Sequence, residues 1–201
     1  ILSSMTVKFI DLFAGMGGFH IAFHKLGAKC VAACEIDKYA RQTYEANYRK
    51  ISPELFEKDR FFPDIQKINP VELPDFDILC AGFPCQPFSQ AGYKRGFQEE
   101  KGNRGNMFFE LLRILRENKP KAFFLENVRH LIKHDETRTF STIETCIRDE
   151  EYSFEPKIVK ASEFNLPQHR PRVFMVGFRK DIKNRDDFKF PEPVENTYFM
   201  T

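Results

Sequence analysis

Short, almost wholly apolar runs recur along this chain, and helical spacing fills the gaps between them. "VKFIDLF", "KCVAACEI", "FDILCAGF" and "KAFFLENV" carry hardly a polar break until their last residues. Runs this brief and apolar on both faces read as strands buried in the middle of a sheet. After the first, the "AGMGG" turn leads into "FHIAFHKLG", which places Phe19, Ala22, Phe23 and Leu26 on one helical stripe that Gly27 ends. "DKYARQTYEANY" opens on Asp37, a good N-cap, and continues as a helix. "NMFFELLRILREN" is strongly amphipathic, "TRTFSTIETCIRDE" is a further helix, and "SFEPKIVKAS" and "RVFMVGFR" close the set as strands. Residues 49–75 are broken by Pro53, Pro63, Pro70 and Pro74 and read as loop around a short strand near Asp64-Ile65. Strand and helix in alternation predict an α/β fold, a mostly parallel sheet with helices on both faces.

The 201 residues suffice for one sizeable core. The pattern fades after Arg179, which sets one domain over 1–180 and a charged, proline-bearing tail over 181–201. Net charge is only +2, so a nucleic-acid partner would have to be met by a local basic face rather than by global charge. No apolar run approaches the ~20 residues that span a bilayer, and no signal-like segment opens the chain. The protein is therefore expected to be soluble and intracellular. Five cysteines, with no CxxC pair, give neither a disulfide framework nor metal-ligand spacing. Cys30, Cys34, Cys80 and Cys146 read as small buried hydrophobes.

Ligands of such sheets bind beyond the carboxyl ends of the strands. Here those ends carry Asp11 to Gly18, Glu35, Asp64, Pro84-Cys85 and Glu126-Asn127. The turn of Gly15, Met16, Gly17 and Gly18 lets backbone approach a ligand, and the next helix offers free N–H groups. Glu35 ends the second strand and suits a ribose hydroxyl pair. The glycines do not make GxGxxG, so a nucleoside without a pyrophosphate, such as S-adenosylmethionine, fits better than a dinucleotide. The plainer alternative is a tight turn with a solvated Glu. Cys85 stands between Pro84 and Pro87, which hold its thiol at a defined point, as a nucleophile requires. A structural cysteine in a turn is the alternative. Glu126 leaves an apolar strand, where burial can keep a carboxyl protonated; a simple strand-end cap is the other reading. Arg170 and Arg172 share one side of an extended segment. Two guanidinium forks there suit phosphate or a carbonyl oxygen, unless they are merely a solvated basic pair.

In order, "FIDLFAGMGGF", "EIDKYA", Asp64-Ile65, "DILCAGFPCQPFSQAG", "RGNMFFELLRIL", "FLENV" and "LPQHRPRVFMVGFR" give a chain that resembles the cytosine-5 DNA methyltransferases of bacterial restriction-modification systems, from about Val7 to Pro193. The resemblance implies a Rossmann-like methyltransferase sheet and S-adenosylmethionine as donor. It implies that Cys85 attacks carbon 6 of cytosine and that Glu126 contacts N3 and the exocyclic amine. Arg172 would lie on the O2 edge, with Arg170 supporting loop and base. On the cofactor, Phe13 would pack on adenine, Gly15–Gly18 would pass the methionine part, and Glu35 would hold the ribose. Ile36 would cover the adenine, Asp64 and Ile65 would read its edge, and Pro84 and Met107 would complete the pocket. The substrate would be double-stranded DNA with the target base flipped out of the helix. "SQAGYKRGFQEEKGNRGN" is similar to the loop that closes over such DNA. The expected location is the bacterial cytoplasm.

The chain departs from the family pattern in three places. Ile36 stands where many members carry tryptophan. The closing loop has extra residues, "EEKGN", before "RGN". The target-recognition region and the returning Gln-x-x-Gly-Asn-Ser-Val helix are not in these 201 residues. The expectation is a catalytic half or one subunit of a split enzyme, needing a complementary C-terminal polypeptide and methylating little by itself. Two alternatives are a tRNA cytosine-5 methyltransferase, whose members usually show "PPCQPF" and "ENVKGF", and a catalytically silent cofactor-binding module.

Overall fold

The structure, a computed structural model, describes residues 6–84 and 107–194. Within them one sheet holds β1 (Lys8–Leu12), β2 (Lys29–Cys34), β3 (Phe61–Phe62), β4 (Ile78–Gly82), β5 (Ala122–Val128), β6 (Glu155–Lys160) and β7 (Pro171–Phe178), in the order β3-β2-β1-β4-β5-β7-β6. The first five strands of the chain run parallel, while β7 is antiparallel to both β5 and β6. The α/β sheet with helices on both faces is as the alternation predicts. Its strand order reverses between β1 and β4, and crevices at such switch points take ligands.

The strands bury both faces because alternate residues feed two cores. From β1, Phe9 joins one core together with Tyr44, Tyr48, Leu55 and Phe61, while Ile10 and Leu12 join the other. The first core is roofed by α1 (Gly18–Lys25), α2 (Lys38–Tyr48) and α3 (Glu54–Glu57). The second is covered by α4 (Met107–Asn118) and α5 (Arg138–Asp149), which contribute Phe108, Leu111, Leu115, Ile143 and Ile147. Each such side chain contributes roughly 1.5–3 kcal/mol through burial. Cys30, Cys34, Cys80 and Cys146 are buried in these cores, as expected. Asp37 caps α2 by accepting the main-chain N–H of Tyr39 and Ala40.

Three local expectations are corrected. The expected α1 stripe holds only in part: Phe19 and Phe23 pack against the first core, but Leu26 is 82% exposed, Ala22 is exposed and His20 is fully buried. The reason is non-local, because His20 stacks on Tyr48 at 3.9 Å and meets Tyr44 Oη at 2.6 Å and Ser52 Oγ at 3.0 Å. The short strand lies at Phe61–Phe62, where it pairs with β2, and Asp64 instead caps a 3-10 turn, Ile65–Lys67. Finally, β6 is not apolar on both faces. It is a half-exposed edge strand bearing Pro156, Lys157 and Lys160, residues that discourage pairing with another chain.

Beyond β7 the chain stays against the sheet. Phe188 packs on Phe178 and on Phe190, and the Val194 N–H donates to the Glu163 carbonyl at 3.0 Å.

Candidate active site

The first half of the site is the turn after β1. Phe13 sits in the left-handed region at φ 55°, and Gly15 and Gly17 follow at 55° and 87°. A bulky residue in that region is strained, and such strain concentrates at functional positions. Glu35, half-buried at the end of β2, spans the turn. Its Oε2 accepts from Gly15 N–H at 2.8 Å and its Oε1 from Asp37 N–H at 2.7 Å. The carboxylate is thus oriented by backbone on both sides. A Cβ on Gly15 or Gly18 would meet nothing within 4 Å, so open space faces the turn there. At Gly17 the opposite holds: a Cβ would lie 2.2 Å from the Tyr48 ring, whose hydroxyl donates to the Gly17 carbonyl at 2.6 Å. Met16 and Ile36 are 69% and 74% exposed, and Phe13 is partly buried against the second core.

The neighbouring lip is formed by Asp64, Ile65 and Met107. Asp64 is half-buried and uses Oδ1 to accept the Gln66 N–H at 3.0 Å. Ile65 is 3% exposed, in the second core. Met107 opens α4, partly buried against the same core.

The other half lies at the carboxyl ends of β4 and β5, where Gly82 pairs with Glu126. Arg172 Nε meets Glu126 Oε1 at 2.8 Å. Arg172 and, two residues before it, Arg170 both favour the charged form of this carboxyl. Burial outweighs both, and the Glu126 carboxyl is held above its ordinary value. The described chain reaches Pro84, which is exposed; Cys85 and the glycine-rich segment after it lie outside the described residues.

Asn127 and Arg113 belong with this site, although the residue patterns did not single out a role for them. Asn127, 2% exposed, donates from Nδ2 to the Phe83 carbonyl at 2.8 Å and accepts the Val128 N–H with Oδ1. It ties the strand carrying Glu126 to the segment entering Cys85. A buried amide at a strand end is the signal that would have pointed to it. Arg113 binds the carbonyls of Ile65 and Ile68.

The same fold occurs in methyltransferase structures. A Spodoptera frugiperda DNMT2 variant superposes with a TM-score of 0.70 at 22% identity, over 89% of this chain and 51% of that one. A putative DNA modification methyltransferase from an E. coli prophage gives 0.71 at 24% identity, over 95% and 52%. The sheet is therefore the Rossmann-like sheet of the methyltransferases. The C-5 cytosine-specific DNA methylase family matches residues 7–200, and the chain belongs to that family. It is 44% identical over 194 residues to Type II methyltransferase M.HhaI of Haemophilus parahaemolyticus, covering 96% of this chain and 55% of the relative. It is 47% identical over 190 residues to Type II methyltransferase M1.ScrFI of Lactococcus lactis subsp. cremoris, covering 94% and 46%. The chain thus spans about half the length of the curated relatives it matches. Among the described residues no helix is long and apolar enough to cross a membrane.

Proposed function

We propose that the full-length protein bearing this chain methylates carbon 5 of cytosine in DNA, with S-adenosylmethionine as donor. The observation that carries this reading is the pairing of Glu126 with Arg172 beside Gly82, three residues before Cys85 in a chain of this family.

The residues around the first turn fit the donor. Open space faces Gly15 and Gly18, and Glu35 presents an oriented carboxylate to a ribose. Phe13 and Ile36 offer apolar surface to adenine, Asp64 and the Ile65 backbone face its edge, and Pro84 and Met107 close the pocket. The bound donor supplies an electrophilic methyl group.

Cytosine carbon 5 is a poor nucleophile while the ring is aromatic. Cys85 thiolate adds to carbon 6, and the ring electrons move toward N3. Glu126, whose protonated form burial favours, donates at N3 and so takes up the charge that the addition creates. Arg172 holds the O2 edge, and Arg170 supports the loop and the base. Carbon 5 is now enamine-like and would take the methyl group as the donor's sulfonium–methyl bond breaks to leave S-adenosylhomocysteine; loss of the carbon-5 proton to a base then expels Cys85 as thiolate and restores the ring. The base has to leave the duplex to reach Cys85.

The test is covalent trapping by full-length protein on duplex DNA carrying 5-fluorocytosine, with S-adenosylmethionine present. Fluorine cannot leave as a proton does, so a denaturation-resistant complex accumulates, and Cys85→Ser abolishes it. Equal trapping by the Cys85→Ser variant overturns the assignment. The absence of trapping on DNA, together with methyl transfer to tRNA, replaces the substrate.

A further inference from the structure

The 3-10 turn Ile65–Lys67 has no sheet partner to fix it. It lies in the proline-broken passage between β3 and β4; its own main chain supplies Lys67 N–H to the Asp64 carbonyl and Ile68 N–H to the Ile65 carbonyl, and further donors come from outside the turn. One side chain of α4 supplies two of them. Arg113 donates from Nη1 to the Ile68 carbonyl at 3.0 Å and from Nη2 to the Ile65 carbonyl at 3.2 Å. Glu110, one turn earlier on α4, receives Arg113 Nε at 2.9 Å and holds the fork in that direction. Asn118, further along the same helix, donates to the Pro70 carbonyl at 2.9 Å.

The turn is therefore pinned at both ends. At its start the Asp64 carboxylate accepts the Gln66 N–H, and at its end a cation binds the carbonyls. Each charge has the sign that the helix ends favour. Asp64 uses Oδ1 for this cap, and among the described residues its Oδ2 accepts no hydrogen bond. That oxygen is available to an amino donor outside the protein. Its position depends on the turn, which Arg113 braces from outside.

We infer that Arg113 is a positioning residue for recognition of a 6-aminopurine: by holding the Ile65–Ile68 turn it aims the Asp64 carboxylate at the exocyclic amine of the base. This rests on the cofactor reading given above. Lysine cannot replace it, since one ammonium cannot span two carbonyls and a carboxylate as a planar guanidinium does.

The test is calorimetric titration of the full-length protein with two ligands, S-adenosylhomocysteine and S-inosylhomocysteine. The second carries an oxo group in place of the amine. The wild type binds the adenosyl ligand more tightly. Arg113→Lys weakens that ligand about tenfold, the scale of one charge-assisted hydrogen bond, and changes the inosyl ligand less than about twofold. A purely structural role would move both ligands together, so parallel weakening, or no change in either, overturns the inference. If the wild type binds neither ligand, or does not distinguish them, the cofactor reading itself fails. Circular dichroism confirms folding. If Arg113→Lys does not fold, Glu110→Gln loosens the same fork and is expected to give a smaller loss, again confined to the adenosyl ligand; equal loss for both ligands overturns the inference in that variant too.

Discussion

Asp11 is the residue whose chemistry conflicts most with its place. It shares the face of β1 that carries Phe9 and so points into the core under α1, 1% exposed, with no hydrogen-bond partner for either oxygen among the described residues. Burial drives its pKa well above the ordinary value; the nearby His20 main-chain N–H pulls the other way without meeting hydrogen-bond geometry, and Glu35 adds to the rise. A raised folded-state value means that the protonated form suits the fold. The stability it contributes is fully present below the unfolded value near 3.8 and is lost as pH climbs through the folded one. His20 works in the opposite sense. Burial lowers it to about 4 from 6.5, so its stability is present above the unfolded value and is lost as pH falls between the two. Asp11→Asn cannot ionise and keeps the shape. It is expected to stabilise the full-length protein at pH 7.5, and by less at pH 5, because the wild-type penalty grows as pH rises from the unfolded value toward the folded one. Urea unfolding of both proteins at the two pH values checks this, since the His20 contribution cancels in the difference. A gain independent of pH, or a loss at pH 7.5, would sink the account.

At the scale of elements, the β1–α1 turn joins β1, α1 and α2 through two glycines with different duties. Gly17 is walled in by Tyr48, and Gly15 opens on space. Gly17→Ala forces a Cβ into the Tyr48 ring at a positive φ and should cost ~2–4 kcal/mol of stability. Gly15→Ala meets no wall, costs ~1 kcal/mol for its left-handed backbone, and puts a methyl group where the donor is proposed to lie. Thermal unfolding and S-adenosylhomocysteine affinity, measured on both variants, are expected to separate: stability falls mainly in the first, affinity mainly in the second. The reverse pattern would refute the assignment of the open side. The same turn explains what could be read from sequence. The buried strands were legible because β1, β2, β4 and β5 are apolar on both faces, and Glu126 and the two arginines stood out by a strand end and a period of two, whereas the Glu126–Arg172 pairing itself came only with the antiparallel register of β5 and β7. The buried face of α1 was only partly legible, because His20 turns inward for Tyr44 and Ser52, 24 and 32 residues away. A two-residue strand such as β3 has no period to detect. Arg113 hid on the polar side of an amphipathic helix, and its targets are main-chain carbonyls that no residue type advertises.

For the molecule as a whole, the question is how much of the enzyme these 201 residues can assemble. All the residues proposed for the donor, from Phe13 to Met107, hang on β1 to β4 and the start of α4. That frame is closed by two cores whose members all come from this chain. DNA reading is another matter: the curated relatives are about twice as long as this chain. Donor binding and DNA methylation should therefore separate. The 201-residue chain is expected to bind S-adenosylhomocysteine saturably, within about tenfold of the full-length protein, a difference of ~1.4 kcal/mol, while giving no sequence-specific methylation. Glu35→Ala should abolish binding twice over, because it removes the ribose acceptor and also frees the Gly15 and Asp37 N–H groups that orient the turn. Calorimetry on the 201-residue chain, with circular dichroism to establish folding, decides it. A folded chain that binds nothing would mean that these 201 residues do not complete the pocket, and sequence-specific methylation by the chain alone would mean that the recognition surface is already within it.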